Sequence, residues 1–554
     1  MNYPGGDPES APVIAPCALW HRIDRWADGF AALQGWRLYL VAFGLGVTAT
    51  LALPPAYAVP VLYAIFPALL WTLNRPGNGP ENETRTKWRS FLTGWWFGFG
   101  YFAAGLYWIG NALLVFAAKH GWMLPFAVIG IPTLLALYAG LAFLLASAGR
   151  TAMARAVGLV VAWSALEWMR GHVLTGFPWN LIGQSWTGND ALAQSAALVG
   201  VYGLSFGVLL SACALALTAN QPRRVRWVAI VIAVALPLTA WSGGTFRLMN
   251  ASEIASENSS ANLGAGLRIV QANIPQHEKW APQFRNRNLR RHLELSLADR
   301  PDWVTHVIWP EMAATFYIED LETRQLLARA APPGGLLITG APRRDVGQPA
   351  SGLYNAALAI NTSGEILNVY DKFHLVPFGE YVPLRDFLPI QKITHGSGGY
   401  SPGPGPRTLK LPGLPPVSPL ICYEVIFPGA VTDHQNTAAW LLNLTNDAWY
   451  GATAGPHQHL AQSRIRAVEE GLPMIRAAYT GISAVIDPYG RITHQIGLNE
   501  TGVIDARLPS FLPIRAGIAG IGLGRTVYAQ FGDNLFLILL LIGGVIACFP
   551  RKLQ

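Results

Sequence analysis

Long apolar segments dominate the first half of this 554-residue chain. A helix rises about 1.5 Å per residue, so roughly 20 apolar residues are needed to cross the hydrocarbon core of a bilayer. Only 13% of the residues are charged, about half the usual share in a soluble domain. The composition argues against a disordered or wholly soluble chain. The pattern predicts eight membrane-spanning helices, at about 38–53, 56–74, 91–118, 121–149, 156–169, 191–219, 227–246 and 534–550.

The short loops between these segments carry their positive charge on one side. The two tails and alternate loops hold 14 Lys and Arg residues, whereas the opposite short loops offer only Lys119 and Arg170. Positively charged loops stay in the cytoplasm, so both termini are expected inside. The first 250 residues hold 15 Lys or Arg and 8 Asp or Glu, a net charge of +7. Loop charges explain this excess, and a nucleic-acid-binding surface is not indicated.

The hydropathy pattern divides the chain into four parts. Residues 1–37 form a cytoplasmic tail, 38–250 a seven-span membrane domain, 251–533 an extracytoplasmic domain, and 534–554 the eighth span with a second cytoplasmic tail. The first tail is expected to contain a helix lying on the membrane surface. Its apolar residues recur at helical spacing between charges, at Leu19, Ile23, Trp26, Phe30 and Leu33.

Three ionisable residues lie near the outer end of the fifth apolar segment. Glu167, Arg170 and His172 are followed by the run Gly176-Phe177-Pro178-Trp179. Ionisable groups at membrane depth are costly and often functional. The favoured interpretation here is nevertheless that these side chains extend from a helix end to the interface.

The second half of the chain has a different pattern. Residues 251–260 are rich in Ser, Asn and Glu, which is typical of a linker. Short β-type runs follow, with helical stretches such as Arg285–Ala298 between some of them. This alternation predicts a layered α/β domain. The expected strands are Leu267–Asn273, Val304–Trp309, Leu336–Gly340, Tyr354–Ile360, Val417–Tyr423 and Trp440–Thr445.

Three runs in this half carry catalytic residue types. Val307-Ile308-Trp309-Pro310-Glu311 delivers a carboxylate just after a strand, and Tyr370-Asp371-Lys372 brings a lysine to a strand end. Pro419-Leu420-Ile421-Cys422 ends a strand in the one cysteine between residues 251 and 533. His457-Gln458-His459 has no Cys or carboxylate at metal-ligand spacing, so a zinc site is not expected.

These runs resemble the nitrilase, or carbon–nitrogen hydrolase, superfamily, which uses a Glu–Lys–Cys triad. More closely, the chain resembles the apolipoprotein N-acyltransferase family, which places a nitrilase-like domain between the seventh and eighth of eight spans. The resemblance extends from the first span to the last. It is carried by the runs Trp163–Arg170 with 176–179, Gln271–Gln276 with Trp280, Val376–Pro383, Asn446–Trp449, Gly455–His459 and Arg464–Ala467.

The resemblance implies a fold and a set of site residues. The fold would be a helical membrane bundle of about eight spans plus an α/β nitrilase-like αββα sandwich. Cys422 would be the nucleophile, Glu311 the general base and Lys372 the third member of the triad. A carboxylate can take the thiol proton, and an ammonium can stabilise the oxyanion. The residues implied to support the reaction or bind substrate are Glu380, which positions the triad or the incoming amine, and Tyr423, Glu424 and Trp280.

The resemblance also implies the reaction. An acyl chain would pass from a membrane phospholipid to a Cys422 thioester, and then to the α-amine of the diacylglyceryl-modified N-terminal cysteine of an apolipoprotein. No metal or organic cofactor is implied. The location would be the bacterial inner membrane, with the catalytic domain on the periplasmic side. The run 176–179 and the Trp-rich spans are candidates to hold the acyl chain.

Two alternative functions stay open, and two residues depart from the family's usual sequence. A membrane-tethered amidase or nitrilase-type hydrolase would need only one anchor, and a transporter would need ionisable groups along its spans. Met312 follows Glu311 where Thr or Ser is usual in the family, and Tyr479 replaces a small or polar residue. Both departures concern the shape of the pocket rather than the triad.

Overall fold

The structure is a computed structural model. It describes residues 17–73, 83–258, 264–345, 352–383, 393, 399–433, 435–510, 515–516, 522–523 and 525–548.

The membrane part is a bundle of helices, and each of the eight predicted segments contains one. Five helical stretches are long and apolar enough to cross a bilayer, namely 35–52, 117–146, 152–172, 196–218 and 223–251, and two shorter apolar helices cover 59–73 and 534–548. The number of helices that cross the membrane stays a prediction. The helices are α1 (Cys17–Ala32), α2 (Gly35–Ala49), α3 (Leu62–Leu73), α4 (Glu83–Gly105), α5 (Ile109–Leu114), α6 (Ala117–His120), α7 (Ile131–Ala146), α8 (Ala152–His172), α9 (Asp190–Ala193), α10 (Ala196–Ala214) and α11 (Arg223–Asn258).

The first tail contains a helix, α1, and its place on the membrane surface stays a prediction. Ile23 and Phe30 pack against the apolar core of the bundle, whereas Leu19 and Trp26 are exposed. A helix with one apolar face on the bundle and large apolar side chains on the outside is typical of the membrane interface.

Two boundaries differ from the prediction. The third segment does not continue to residue 118, because α4 ends at Gly105. A Cβ atom at Gly105 would overlap the side chain of Asn180, so the chain turns at a close contact. The linker interpretation of 251–258 is also wrong, because α11 continues as a helix to Asn258. Residues 259–260 of that predicted linker lie outside the described residues.

The second half contains two large β-sheets. One has the strand order β11-β1-β2-β3-β4-β5 and the other β10-β9-β8-β7-β6, with β12 and β13 as a separate pair. All six expected strands and the expected helix are present. The strands are β1 (Gly266–Gln271), β2 (His306–Ile308), β3 (Leu336–Arg344), β4 (Leu353–Asn361), β5 (Ile366–Asp371), β6 (Val417–Ile421), β7 (Trp440–Thr445), β8 (Met474–Ala478), β9 (Ser483–Ile486), β10 (Ile492–Ile496), β11 (Gly502–Arg507), β12 (Arg515–Ala516) and β13 (Gly522–Leu523).

The two sheets form the inner layers of an αββα sandwich. Apolar residues of both sheets, such as Ile308 and Leu442, share one core between them. A second core lies on the outer face of the first sheet, under two helices. The remaining helices are α12 (Gln276–Lys279), α13 (Arg285–Leu297), α14 (Leu321–Ala328), α15 (Ala454–Glu470), α16 (Val527–Phe531) and α17 (Asn534–Cys548).

Helix α15 connects the sandwich to the membrane bundle. Its residues Ile465 and Val468 belong to the same buried cluster as Leu441 of the second sheet and as the membrane helices. The helical layer on the second sheet is therefore covered by the bundle. The strand ends that carry Cys422 lie beside this layer.

Candidate active site

Cys422 lies directly after β6, where the strand passes into a short 3-10 helix covering Cys422–Ile426. Its φ angle is +52°, a left-handed conformation that costs free energy for a residue with a side chain. Such strain is common where a nucleophile must project from a sharp turn. The thiol is buried, with 6% of the residue exposed.

Glu311 lies just after β2, at a turn that the following residue also strains. Met312 has a φ of +50°. On the neighbouring strand, a Cβ atom at Gly340 would overlap the backbone nitrogen of Met312. Only glycine permits this close approach, so Gly340 makes room for the turn that presents Glu311.

Lys372 directly follows β5, and its side chain is almost fully buried. Its Nζ lies 2.9 Å from Oε2 of Glu380 and 3.7 Å from Oε1 of Glu311. Asn355 on β4 donates hydrogen bonds to both carboxylates, at 2.7 Å to Glu311 and 3.0 Å to Glu380. Three sequence-predicted residues thus form one cluster with an asparagine that the sequence analysis missed.

The charges of this cluster act on the thiol. Burial raises the pKa of Cys422 to about 12, with Glu311 adding to the rise and Lys372 opposing it. Burial would lower the pKa of Lys372, but Glu380 and Glu311 outweigh it and raise that pKa. The thiol is therefore protonated at neutral pH beside a permanent ammonium. Glu311 is a carboxylate of the same cluster.

Glu424 lies at the start of the 3-10 helix and holds the backbone around the site. Its carboxylate accepts hydrogen bonds from the hydroxyl of Tyr370 and from the backbone nitrogens of Phe373, His374 and Ile421. Burial raises the pKa of Glu424 to about 7. Glu424 therefore connects the strand end that carries Cys422 to the segment that carries Lys372.

The other two predicted supporting residues lie at the edge of the cluster. Tyr423 donates from its hydroxyl to the backbone carbonyl of Gly176, at 3.1 Å. Trp280 is half-buried and packs against the small apolar group that contains Met312 and Tyr400. Tyr423 thus contacts the membrane domain, while Trp280 lies on the side of Glu311.

A buried ionic network beneath Cys422 was not predicted. His459 forms hydrogen bonds with Asp447, at 2.8 Å, and with the backbone carbonyl of Cys422, at 3.2 Å. Asp447 also lies 2.7 Å from Arg476. Burial would raise the pKa of Asp447, but Arg476 and His459 hold it at about 2. The run Gly455–His459 thus contributes a histidine that contacts the backbone of Cys422.

The run 176–179 is held in place by charges that the sequence analysis placed at the interface. Arg170 is buried and donates to the backbone carbonyls of Phe177, at 2.6 Å, and Trp179, at 2.7 Å. Glu167 is buried beside it and accepts from the backbone of Ile182, at 2.9 Å. The interpretation that these two side chains extend to the interface is wrong. Arg170 and Glu167 instead form hydrogen bonds with backbone groups of the loop. His172 is exposed.

Indole groups attach this loop to the catalytic domain. Gln458 on α15 accepts hydrogen bonds from Trp108, at 3.0 Å, and from Trp179, at 2.7 Å. The ring of Tyr450 lies 4.5 Å from that of Trp108. Trp179 also lies 5.6 Å from the ring of His459. Aromatic side chains therefore connect this loop to α15, which carries His459.

Family models match both halves of the chain. Residues 45–214 match the family described as the apolipoprotein N-acyltransferase N-terminal domain, and residues 267–511 match the carbon–nitrogen hydrolase family. Among solved structures, an amidase from Nesterenkonia sp. AN1 is 21% identical over 44% of this chain and 93% of its own, with a TM-score of 0.33. A nitrilase-superfamily protein from Saccharomyces cerevisiae is 18% identical over 45% of this chain and 91% of its own, with a TM-score of 0.34.

Curated relatives match nearly the whole chain. The apolipoprotein N-acyltransferase of Rhodopseudomonas palustris is 38% identical over 92% of this chain and 95% of its own. That of Bradyrhizobium diazoefficiens is 39% identical over 96% and 99%, and that of Caulobacter vibrioides is 40% identical over 93% and 95%. Since both halves of the chain and their order are shared with these relatives, the chain belongs to the apolipoprotein N-acyltransferase family.

Proposed function

We propose that this protein moves a fatty acyl chain from a membrane phospholipid to the α-amino group of a diacylglyceryl-modified apolipoprotein. Family membership supports the reaction class. The observation that carries the proposal is the single buried cluster of Cys422, Glu311 and Lys372, which lies beside the layer that packs on the membrane helices. A hydrolase of small soluble substrates would have no use for that contact.

The first half-reaction loads the enzyme. Glu311 takes the thiol proton as the sulfur of Cys422 attacks the ester carbonyl of the phospholipid. A carbon–sulfur bond forms, and the carbon–oxygen bond to the glycerol breaks. The leaving alkoxide takes the proton from Glu311 and departs as lysophospholipid. The ammonium of Lys372 and the backbone N–H of Tyr423 stabilise the oxyanion of the tetrahedral intermediate.

The second half-reaction discharges the Cys422 thioester. The α-amine of the acceptor attacks the thioester carbonyl, and Glu311 takes the amine proton. A carbon–nitrogen bond forms, the carbon–sulfur bond breaks, and the thiolate of Cys422 recovers its proton. Two substrates then react in turn at one sulfur, which gives ping-pong kinetics. Every proton is returned, and no step uses a cofactor.

The best test of this chemistry is mass spectrometry after incubation with a labelled phospholipid. A fatty-acyl mass on the Cys422 peptide is expected, together with released lysophospholipid. Cys422→Ala should abolish both. Cys422→Ser should lose most activity, because a serine hydroxyl is far less acidic than a thiol in the same site. The matched control replaces Cys17, Cys213 and Cys548 together and should keep substantial activity. Acyl release without any adduct on Cys422 would contradict the proposal.

We also propose the location. The distribution of 14 against 2 loop charges supports an inner-membrane protein with residues 251–533 on the periplasmic side. Reporter fusions test it. A fusion near residue 258 should be active only as a periplasmic reporter, and a fusion at the C-terminus only as a cytoplasmic one. The reverse result at either site would overturn the topology.

A further inference from the structure

Lys279 is a buried charged residue to which the mechanism above gives no task. It ends helix α12 and has 0% of its surface exposed. Its Nζ donates a hydrogen bond to the backbone carbonyl of Glu311, at 3.0 Å. The same Nζ lies 3.7 Å from the centre of the Tyr479 ring. Burying an ammonium group is costly unless it is paired, so its position next to the general base calls for an explanation.

The backbone of Glu311 is held on several sides. The carbonyl of Pro310 accepts hydrogen bonds from Gly340, at 3.2 Å, and from Ala313, at 3.3 Å. Met312 adopts its left-handed conformation directly afterwards. Lys279 supplies the contact to the carbonyl of Glu311 itself. That contact fixes the point from which the catalytic carboxylate extends.

We propose that Lys279 is a positioning residue for the general base, and that its charge sets how readily Glu311 accepts the thiol proton. The inference deepens the proposed function and rests on Glu311 acting as the base. Tyr479 acts together with Lys279, because its ring faces the ammonium of that lysine.

The groups around Lys279 determine its charge. Burial lowers the pKa of Lys279 to about 7, and Glu311 and Cys422 oppose that fall. From α13 it faces His292, whose pKa burial lowers to about 4, so this imidazole is neutral at working pH. From the segment after β8 it faces the Tyr479 ring, and burial raises the pKa of that phenol. The hydroxyl of Tyr479 has no hydrogen-bond partner among the described residues.

The direction of the effect follows from these charges. Below the pKa of Lys279 the ammonium stabilises the carboxylate of Glu311 and weakens it as a base. Above that pKa the amine is neutral, and the carboxylate takes the thiol proton more readily. The rate of acyl-enzyme formation should therefore rise with pH through an inflection near 7, and Lys279 should be its source.

The test is single-turnover loading with labelled phospholipid, followed from about pH 5.5 to 9. Lys279→Gln keeps a hydrogen-bond donor and loses the charge, so the inflection should disappear while loading above pH 8 stays within about threefold of wild type. Lys279→Met loses the charge and the donor, so its loading should also show no inflection and should lie about tenfold below that of Lys279→Gln. The exposed Lys410→Gln is the matched control and should keep the wild-type profile.

Tyr479 provides an independent arm. A ring facing a cation favours the charged form. Tyr479→Leu should therefore move the inflection down by about one pH unit. Tyr479→Phe keeps the ring and loses only the hydroxyl, so the inflection should stay in place.

The outcomes separate the two proposals. If wild type forms no acyl-enzyme, the proposed function fails. If wild type loads and Lys279→Gln keeps the inflection near 7, the role of Lys279 is overturned. Thermal unfolding in detergent identifies any variant that fails to fold. If Lys279→Met does so, Lys279→Gln and Tyr479→Leu still decide the question.

Discussion

The ammonium nitrogen of Lys372 lies 2.9 Å from the nearest carboxylate oxygen of Glu380. Both side chains are buried, so this ion pair is desolvated and little screened. Glu311 lies farther from the same nitrogen, at 3.7 Å. The lysine therefore has a closer partner than the base, which leaves Glu311 free to accept a proton.

This arrangement gives the first prediction, for Glu380→Gln. The substitution removes the closer counter-charge, so Lys372 should pair more strongly with Glu311 and weaken it as a base. We expect loading to slow by about tenfold or more, because one pKa unit corresponds to about 1.4 kcal/mol. Glu380 is already bound to Lys372, Asn355 and the backbone of Val376. Loading should therefore slow at least as much as discharge in a stopped single-turnover assay. Slower discharge with normal loading would instead assign Glu380 to the incoming amine.

The second prediction concerns Asn355, which bridges the two carboxylates. Asn355→Ala removes the two hydrogen bonds that hold both carboxylates in place. Loading should fall by about tenfold or more because Glu311 is no longer positioned, since hydrogen bonds to charged groups contribute about 1.5–3 kcal/mol each. Asn355→Asp should be worse, because a third carboxylate raises the pKa values of the cluster and moves the acidic limb of the pH profile upward. Asn368→Ala, on the neighbouring strand, is the control. Wild-type loading by Asn355→Asp would contradict the arrangement.

The third prediction is that Glu424→Gln is not conservative. All four observed hydrogen bonds are donated to the carboxylate. A glutamine offers one acceptor oxygen and turns its NH₂ group toward two other donors. Leaving two buried donors unpaired costs about 1–3 kcal/mol each. We expect Glu424→Gln to lower the unfolding temperature and the activity nearly as much as Glu424→Ala. Near-normal stability of the Gln variant would show that Glu424 is protonated in the folded protein.

The sequence predicted those parts of the site that follow from local pattern. Apolar runs of strand length predicted β2 and β6. Glu311 and Cys422, which are residue types common in catalysis, follow the ends of these strands. The resemblance then supplied the roles. The predicted end of helix α11 came before the observed one, because Ser, Asn and Glu are typical of a linker. These residues do not prevent a helix that is already formed from continuing.

The parts that were missed depend on residues distant in sequence. Nothing near His459 indicates that it meets Asp447 under the backbone of Cys422, because the sheet brings these segments together. Lys279 is a similar case, since a lysine before a tryptophan is ordinarily exposed. Arg170 was placed at the interface because hydropathy does not report which loop carbonyls a buried guanidinium can reach.

The last prediction concerns the lifetime of the acyl-enzyme. A triad of this type has no intrinsic preference for an amine over water, which is present at roughly 55 M, so the site must exclude water and hold the amine in line. Gln458 accepts hydrogen bonds from Trp108 and Trp179, which join the loop 176–179 to α15. We therefore expect the wild-type thioester to persist without acceptor and to be discharged when a lipopeptide is added. Steady release of fatty acid at the rate of loading, unchanged by acceptor, would instead identify a hydrolase.

Gln458→Leu tests what closes the site. Leucine has a similar volume but cannot accept the two indole N–H groups, and each unpaired buried donor costs about 1–3 kcal/mol. The loop around Trp179 should then separate from α15 and admit water to the sulfur. Hydrolysis of the labelled acyl-enzyme should rise about tenfold while loading changes by less than about threefold, because the triad itself is untouched. The exposed Gln435→Leu is the matched control and should leave the thioester intact. If Gln458→Leu slows loading and leaves hydrolysis unchanged, the contact organises the phospholipid site rather than excluding water.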